Sequence, residues 1–203
     1  VKPVFKQITI AARIPELQQG HIDLLAASLT HSKEREAQID FSLTTFVTGT
    51  KVLVRANSGI KDVPELAGKR VVTAKGSSME VNMRNAVPSA NIITFDTSPQ
   101  AFVALQQGKA VGYVNEDASL ARSLNQIGDK RSEYKILPTN LAVEPLALGI
   151  KKGEANLKKV VDETLRELEA SGKAEALYEH WFGQQSALKM PKREFKIDTD
   201  KID

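Results

Sequence analysis

The tetrapeptide Leu-Gln-Gln-Gly occurs twice, at residues 17–20 and 105–108, each time in the same setting. A short amphipathic helix runs into it, with Ile14 and Leu17 apolar in the first copy and Phe102, Val103 and Leu105 in the second. A mostly apolar strand leaves it, over residues 22–27 and then 110–114. Eight residues past each glycine the apolar run gives way to polar residues, around Ser28 and Thr30 in one copy and at Glu116 and Asp117 in the other. Helix, glycine stop, buried strand and polar tip make one α/β half-unit, and open α/β sheets bind ligands at the carboxyl ends of their strands. Two matched tips predict two lobes that face one ligand, although a single Leu-Gln-Gln-Gly is also an ordinary helix ending.

The rest of the chain alternates in the same way. Strands are expected over residues 4–10, 40–42, 44–56, 70–74, 91–95, 111–114, 134–137 and 146–151. Helices are expected over 63–67, after Gly76-Ser77-Ser78 through Val87, from Ser98 into the second repeat, and over 118–127, 154–171 and 173–181. The helix over 154–171 shows the clearest period, placing Leu157, Val160, Val161, Thr164, Leu165 and Leu168 on one stripe. The next one carries Ala174, Leu177, Tyr178 and Trp181, with Trp181 and Phe182 expected to be buried. Residues 186–203 have no period and read as a tail lying on a surface. Alternation predicts an α/β protein with mainly parallel pairing. Residues 56–140 hold a complete strand–helix alternation of their own. Residues 1–55 and 141–203 then form a first, discontinuous lobe, joined to the second by crossing segments near 46–55 and 137–149. Two crossings make a hinge.

Composition narrows the function class. Net charge is only +3 among 203 residues and aromatic content is 5%, without a dense basic stripe, which argues against nucleic acid. There is no cysteine, so disulfides, thiol nucleophiles and Cys-ligated zinc are excluded. His21, His31 and His180 lack ligand-like spacing, and no cofactor or metal is expected. No apolar run approaches the roughly 20 residues of a bilayer span. No secretory leader opens the chain, which reads as mature, processed or incomplete at its start.

Three groups of residues could carry chemistry. Thr30 stands at a strand tip, and Arg35, five residues on, can offer a planar fork to a carboxylate; the two are also readable as an N-cap and a solvated helix arginine. Gly76-Ser77-Ser78 is a small nest at a helix start that suits an anion or a plain cap. Glu116 and Asp117 can take an ammonium group, or simply favour a helix start. Together they describe a zwitterion receptor.

Several stretches resemble a known family: residues 14–42 (IPELQQGHIDLLAASLTHSKEREAQIDFS), 46–71 (FVTGTKVLVRANSGIKDVPELAGKRV), 76–81 (GSSMEV), 144–153 (EPLALGIKKG) and 177–183 (LYEHWFG). In that order they resemble the periplasmic solute-binding proteins that feed polar amino acids to ABC importers, nearest to the glutamate/aspartate branch. The resemblance implies a two-lobed periplasmic-binding-protein-like fold of type II with two hinge crossings. It places Arg35 on the arginine that pairs with the ligand α-carboxylate, Thr30 and Ser28 beside it, and Ser77 and Ser78 as second-lobe donors to the same group. Glu116 falls where the family has the aspartate that binds the α-amino group. With one more methylene, either the pocket is rearranged, or Asp117 contributes, or the ligand is not a standard α-amino acid. Ile10 replaces a stacking aromatic, which weighs against basic or aromatic ligands.

The resemblance also implies that the first lobe lacks its initial strand–helix unit, which is absent, cleaved or supplied by another chain, swapped or packed at that edge. The leading expectation is a non-enzymatic receptor at the membrane's outer face or in the periplasm. It captures a polar amino acid, with an acidic one favoured, in an interlobe cleft and hands it to an ABC permease. The alternatives are a dehydratase-type enzyme using Glu116 as general acid, and a sensor that has lost transport.

Overall fold

The computed structural model describes residues 2–199. In chain order the elements are α1 (Arg13–Gln18), β1 (Leu24–Leu25), α2 (Lys33–Glu36), β2 (Asp40–Arg55), β3 (Arg70–Ala74), α3 (Ser78–Ala86), β4 (Asn91–Phe95), α4 (Ser98–Gln106), β5 (Gly112–Glu116), α5 (Asp117–Gln126), β6 (Tyr134–Ile136), β7 (Ala142–Ile150), α6 (Ala155–Ala170) and α7 (Lys173–Trp181). The fold is α/β, in two compact units. Unit 1 holds the residues up to Val47, Pro145–Ala174 and those from Phe195 on; unit 2 holds Thr48–Glu144 and Glu175–Glu194. The borders therefore fall inside β2 and β7, the two strands that carry the chain across, rather than at residues 56 and 140. The stretch Glu175–Glu194 groups with the middle of the chain, not with its C-terminal part.

Both Leu-Gln-Gln-Gly copies close their helices in the same way. Gly20 N–H donates to Leu17 O at 3.1 Å and His21 N–H to Glu16 O at 3.0 Å; Gly108 N–H donates to Leu105 O and Lys109 N–H to Ala104 O, both at 3.0 Å. The glycines take φ of +75° and +72°. This is the left-handed helix stop that a side chain with a Cβ resists. Each stop aims the chain into a strand four residues later, β1 in unit 1 and β5 in unit 2.

In unit 1, β1 pairs antiparallel with β7, Leu24 opposite Ile150 and Leu25 opposite Gly149, and β7 lies beside β2. Leu17, Leu25, Leu29, Ile39, Phe41 and Ala147 form one core cluster, and Leu43, Leu165 and Ile197 another. In unit 2 the strand order is β2-β5-β3-β4, with β6 also on β2. Successive residues of its strands alternate between two cores: Val52, Val54, Val71 and Val114 enter one, Leu53, Val72 and Tyr113 the other. Burial on both faces explains the near-continuous apolar runs.

The structure corrects several sequence expectations. Pairing is mixed, not mainly parallel. β3 is parallel to β4 and β5, which α3 and α4 connect across, whereas β2·β5, β2·β6 and β1·β7 are antiparallel. Residues 4–9 form no strand: no strand pairs with them among the described residues, and Val4 and Phe5 are 91% and 93% exposed. On α6 the buried stripe is turned, for Val160 is exposed and Asp162 is buried. Trp181 is 61% exposed; the residue that anchors α7 is Tyr178, whose O–H donates to Pro191 O at 2.8 Å. The tail is not uniformly superficial, since Ile197 enters the unit-1 core and its N–H donates to Glu169 Oε2 at 2.9 Å. Residues 200–203 lie outside the described residues.

Candidate functional site

Unit 1 contributes the turn from β1 into α2. Leu29 is sealed in the core, Thr30 bridges to Leu146, and His31 N–H donates to Pro145 O at 2.8 Å, so the backbone after β1 is pinned. Ser32 caps α2 by accepting the Arg35 N–H at 3.4 Å. Within that turn the Arg35 side chain reaches back, its Nη1 donating to Thr30 O at 2.9 Å. Thr30 is buried and Arg35 half-buried, which strengthens the guanidinium's field. Ser28 is exposed, and its carbonyl accepts from Arg13 Nη1 at 2.7 Å. Arg13 therefore belongs to this tip, a role that only tertiary structure reveals.

His31, whose spacing is not that of a metal ligand, is 3% exposed, stacks on Phe41 at 4.1 Å and meets Glu36 Oε1 through Nε2 at 2.8 Å. A recess of about 520 Å³ beside it is bordered by Lys33 and by two lysines already engaged. Lys152 bonds Asp40 and Glu36 O, and Lys158 bonds Asp162 and Phe41 O. Among the described residues no group of three or more His, Cys, Asp or Glu is placed to hold a metal ion.

Unit 2 contributes the head of α3 and the junction of β5 with α5. Ser77 is buried and works as the N-cap of α3: its Oγ accepts from Glu80 N–H at 3.4 Å and donates to Ala74 O at 2.7 Å. Gly76 N–H donates to Glu80 Oε2 at 3.2 Å, so the nest already serves an internal carboxylate. Ser78 donates its hydroxyl to Glu144 Oε2 at 2.9 Å. Glu116, 5% exposed, ends β5 and accepts from Ser119 Oγ at 3.2 Å. Asp117 faces Lys51 at 3.4 Å. Of the two acids, Glu116 is the buried one with a hydroxyl partner, and Asp117 is half-buried in an ion pair.

Thr50 links these residues. It stands opposite Glu116 in the β2·β5 ladder, and its Oγ1 donates to Glu144 Oε1 at 2.7 Å. Asn82 adds a bond to the same carboxylate oxygen and one to Thr50 Oγ1 at 3.0 Å. Glu144, Asn82 and Thr50 were not among the sequence candidates, since a lone Glu before Pro145 carries no recognisable signal. Beneath them Asn115 donates to the Tyr113 hydroxyl and accepts from Glu116 N–H at 2.9 Å. Burial pushes the Tyr113 hydroxyl pKa up, with the Asn115 bond acting against it.

Comparison with known proteins gives a consistent set. The family model for bacterial extracellular solute-binding proteins, family 3, matches residues 1–184. The chain is 32% identical over 187 residues to the ABC transporter glutamine-binding protein GlnH of Bacillus subtilis (strain 168), covering 92% of this chain and 67% of that protein. It is 33% identical over 188 residues to the L-glutamate/L-aspartate-binding protein of Pseudomonas aeruginosa (strain PAO1), covering 91% of this chain and 62% of that protein. Among solved structures, an ancestral arginine-binding protein bound to arginine superposes with a TM-score of 0.84 at 30% identity, over 90% of this chain and 81% of that one. The chain thus spans about two thirds or less of the length of these two curated relatives.

Proposed function

We propose a function from one premise: the chain belongs to the bacterial extracellular solute-binding proteins of family 3. On that premise it is a non-enzymatic extracytoplasmic receptor, in the periplasm or at the outer face of the cell membrane, that captures a polar amino acid for an ABC permease. Each unit carries residues suited to part of such a ligand, and β2 and β7 run through both units. The observation that carries this reading is the complementary chemistry of the two tips. Unit 1 offers the Arg35 guanidinium on Thr30, with Ser28 beside it. Unit 2 offers Ser77 and Ser78 at the head of α3 and the buried Glu116, with Asp117 next to it, at the end of β5. A guanidinium and hydroxyls suit an α-carboxylate, and a buried carboxylate suits an ammonium. The relatives named for glutamine and for glutamate/aspartate support an amino acid with a polar side chain, and the branch resemblance favours an acidic one.

Calorimetric titration with L-glutamate, L-aspartate, L-glutamine and L-arginine tests the reading. Stoichiometric binding of at least one of them, without chemical change, is expected. Turnover of a carboxylate substrate that Glu116→Gln abolishes while binding survives would replace the receptor with the dehydratase-type reading. The same proposal places a swapped or packed partner chain along the β1 edge. Light scattering on the purified chain tests it, and a monodisperse monomer would remove that part.

A further inference from the structure

Glu144 is the most buried carboxylate among the described residues, 1% exposed, in the unit-2 part of β7. Its oxygens accept from Thr50 Oγ1 at 2.7 Å, from the Asn82 amide, and from Ser78 Oγ at 2.9 Å. These three donors are neutral, so they stabilise the carboxylate without cancelling its charge. Residues directly opposite in an antiparallel ladder present their side chains on the same face. Thr50 is opposite Glu116, so its side chain has one buried carboxylate across the ladder and hydrogen-bonds a second. The hydroxyl assigned above to the ligand, Ser78, is the one bound to Glu144. Its single proton goes to Glu144, so a ligand group that meets Ser78 Oγ donates to it, and lies two hydrogen-bond lengths from that carboxylate, roughly 5–6 Å.

We infer that Glu144 is a specificity-determining residue of this receptor, coupled to the ligand through Ser78, which biases the site against amino acids of net negative charge and towards those of zero or positive net charge. The inference rests on the amino-acid-receptor reading and works against the acidic preference drawn from the branch resemblance. The repulsion felt by the α-carboxylate is common to all amino acids and cancels between them, whereas the side-chain charge does not. Nor does the bias require the carboxylate to stand alone. Whatever other groups reach it, exchanging Glu for Gln removes one negative charge beside Ser78 and shifts the preference by that charge.

The test is calorimetric titration of the whole chain and of Glu144→Gln with L-glutamate, L-glutamine and L-arginine. Gln is nearly isosteric: its oxygen can still accept from Thr50 and Asn82, and its NH₂ can donate to Ser78 Oγ. The glutamate-to-arginine affinity ratio is expected to rise on the order of tenfold in the variant, with glutamine changing least. Glu144→Met, which spares the Asn82–Thr50 bond, should shift the ratio in the same direction and serves if the Gln variant does not fold. An unchanged ratio, or all three affinities moving by one common factor, would overturn the inference and leave Glu144 a structural group. Binding of none of the three by the wild type would overturn the receptor reading itself, a different and distinguishable failure.

Discussion

Replacing Asp162 by Ala should cost unit 1 about 2–4 kcal/mol, far more than a helix-surface substitution. Asp162 lies on α6, 7% exposed, and its Oδ1 accepts the backbone N–H of Leu43 on β2 at 2.9 Å. Its Oδ2 accepts from Lys158 Nζ at 2.9 Å, and Lys158 also donates to Phe41 O at 2.7 Å. Truncation removes the acceptor of a buried amide, worth about 1–3 kcal/mol, and deprives Lys158 of its carboxylate. Breaking a fully buried ion pair costs about 3–5 kcal/mol, but the Lys158 side chain is 29% exposed. Solvent screening reduces that part to about 1 kcal/mol. Asp162→Asn keeps an oxygen for Leu43 and loses only the charge, so it should cost about 1 kcal/mol. Native-state hydrogen exchange of the Leu43 amide reads the effect inside unit 1 and does not need two-state unfolding of the whole chain. A cost below about 1 kcal/mol for Asp162→Ala, or equal costs for the two variants, would refute the reasoning.

The remaining predictions concern the site and its supports. Arg35→Ala should weaken amino-acid binding by about 3–6 kcal/mol, two charge-assisted bonds, and Arg35→Lys should recover only part because a point charge cannot reproduce the fork; unchanged affinity by calorimetry would remove Arg35 from the site. Glu116→Gln should lower affinity for amino acids with the melting temperature preserved; if it does not, attention moves to Asp117. Gly20→Ala and Gly108→Ala should each cost about 1 kcal/mol in denaturant titration, because both stops hold φ beyond +70°. Asp62 is held below the usual carboxylate range, first by the Thr139 hydroxyl and then by the Val63 N–H. A lowered folded pKa stabilises above the unfolded value and is lost as pH falls through the folded one. Unit 2 should therefore lose stability below about pH 4, and Asp62→Asn should flatten that part of the pH profile.

Sequence was most readable where the chain carries its own punctuation. β3 and β4 fall on the expected residues 70–74 and 91–95 because Gly68 and Gly76 and the Pro88 region bound short β-branched runs. The repeated helix stop was legible because positive φ has a residue signature. What failed was set by neighbours far along the chain. Residues 4–10 alternate like a strand, yet a strand is a relation to a partner, and none pairs with them among the described residues. The polar run at Ser42 and Thr44 looked like a break, but β2 continues through it, since Ser42 Oγ bonds Leu43 O at 2.8 Å and accepts from Leu148 N–H at 3.0 Å. On α6 the pattern of apolar residues counted Val160 and missed Asp162, whose burial depends on a strand amide 119 residues away.

The same asymmetry governs the site. The contact of Arg35 with Thr30 was legible because both lie in one short turn, where spacing alone fixes reach. Ser77 and Ser78 were findable as a helix start, but their different partners were not. Ser77 closes its own helix and Ser78 turns to Glu144, 66 residues on. Both hydroxyls give their one proton within unit 2, Ser77 to Ala74 O and Ser78 to the Glu144 carboxylate, so what sets Ser78 apart is the negative charge behind it. Of the two adjacent serines that read alike in sequence, Ser78 is thus the one on which the proposed role of Glu144 turns. Ser78→Ala should accordingly erase most of the charge dependence that Glu144 imposes, whereas Ser77→Ala should lower helix stability by about 1 kcal/mol and leave the order of ligand preference unchanged. The reverse assignment, with Ser77→Ala reordering the ligands, would refute the role given to Ser78 and move it to Ser77.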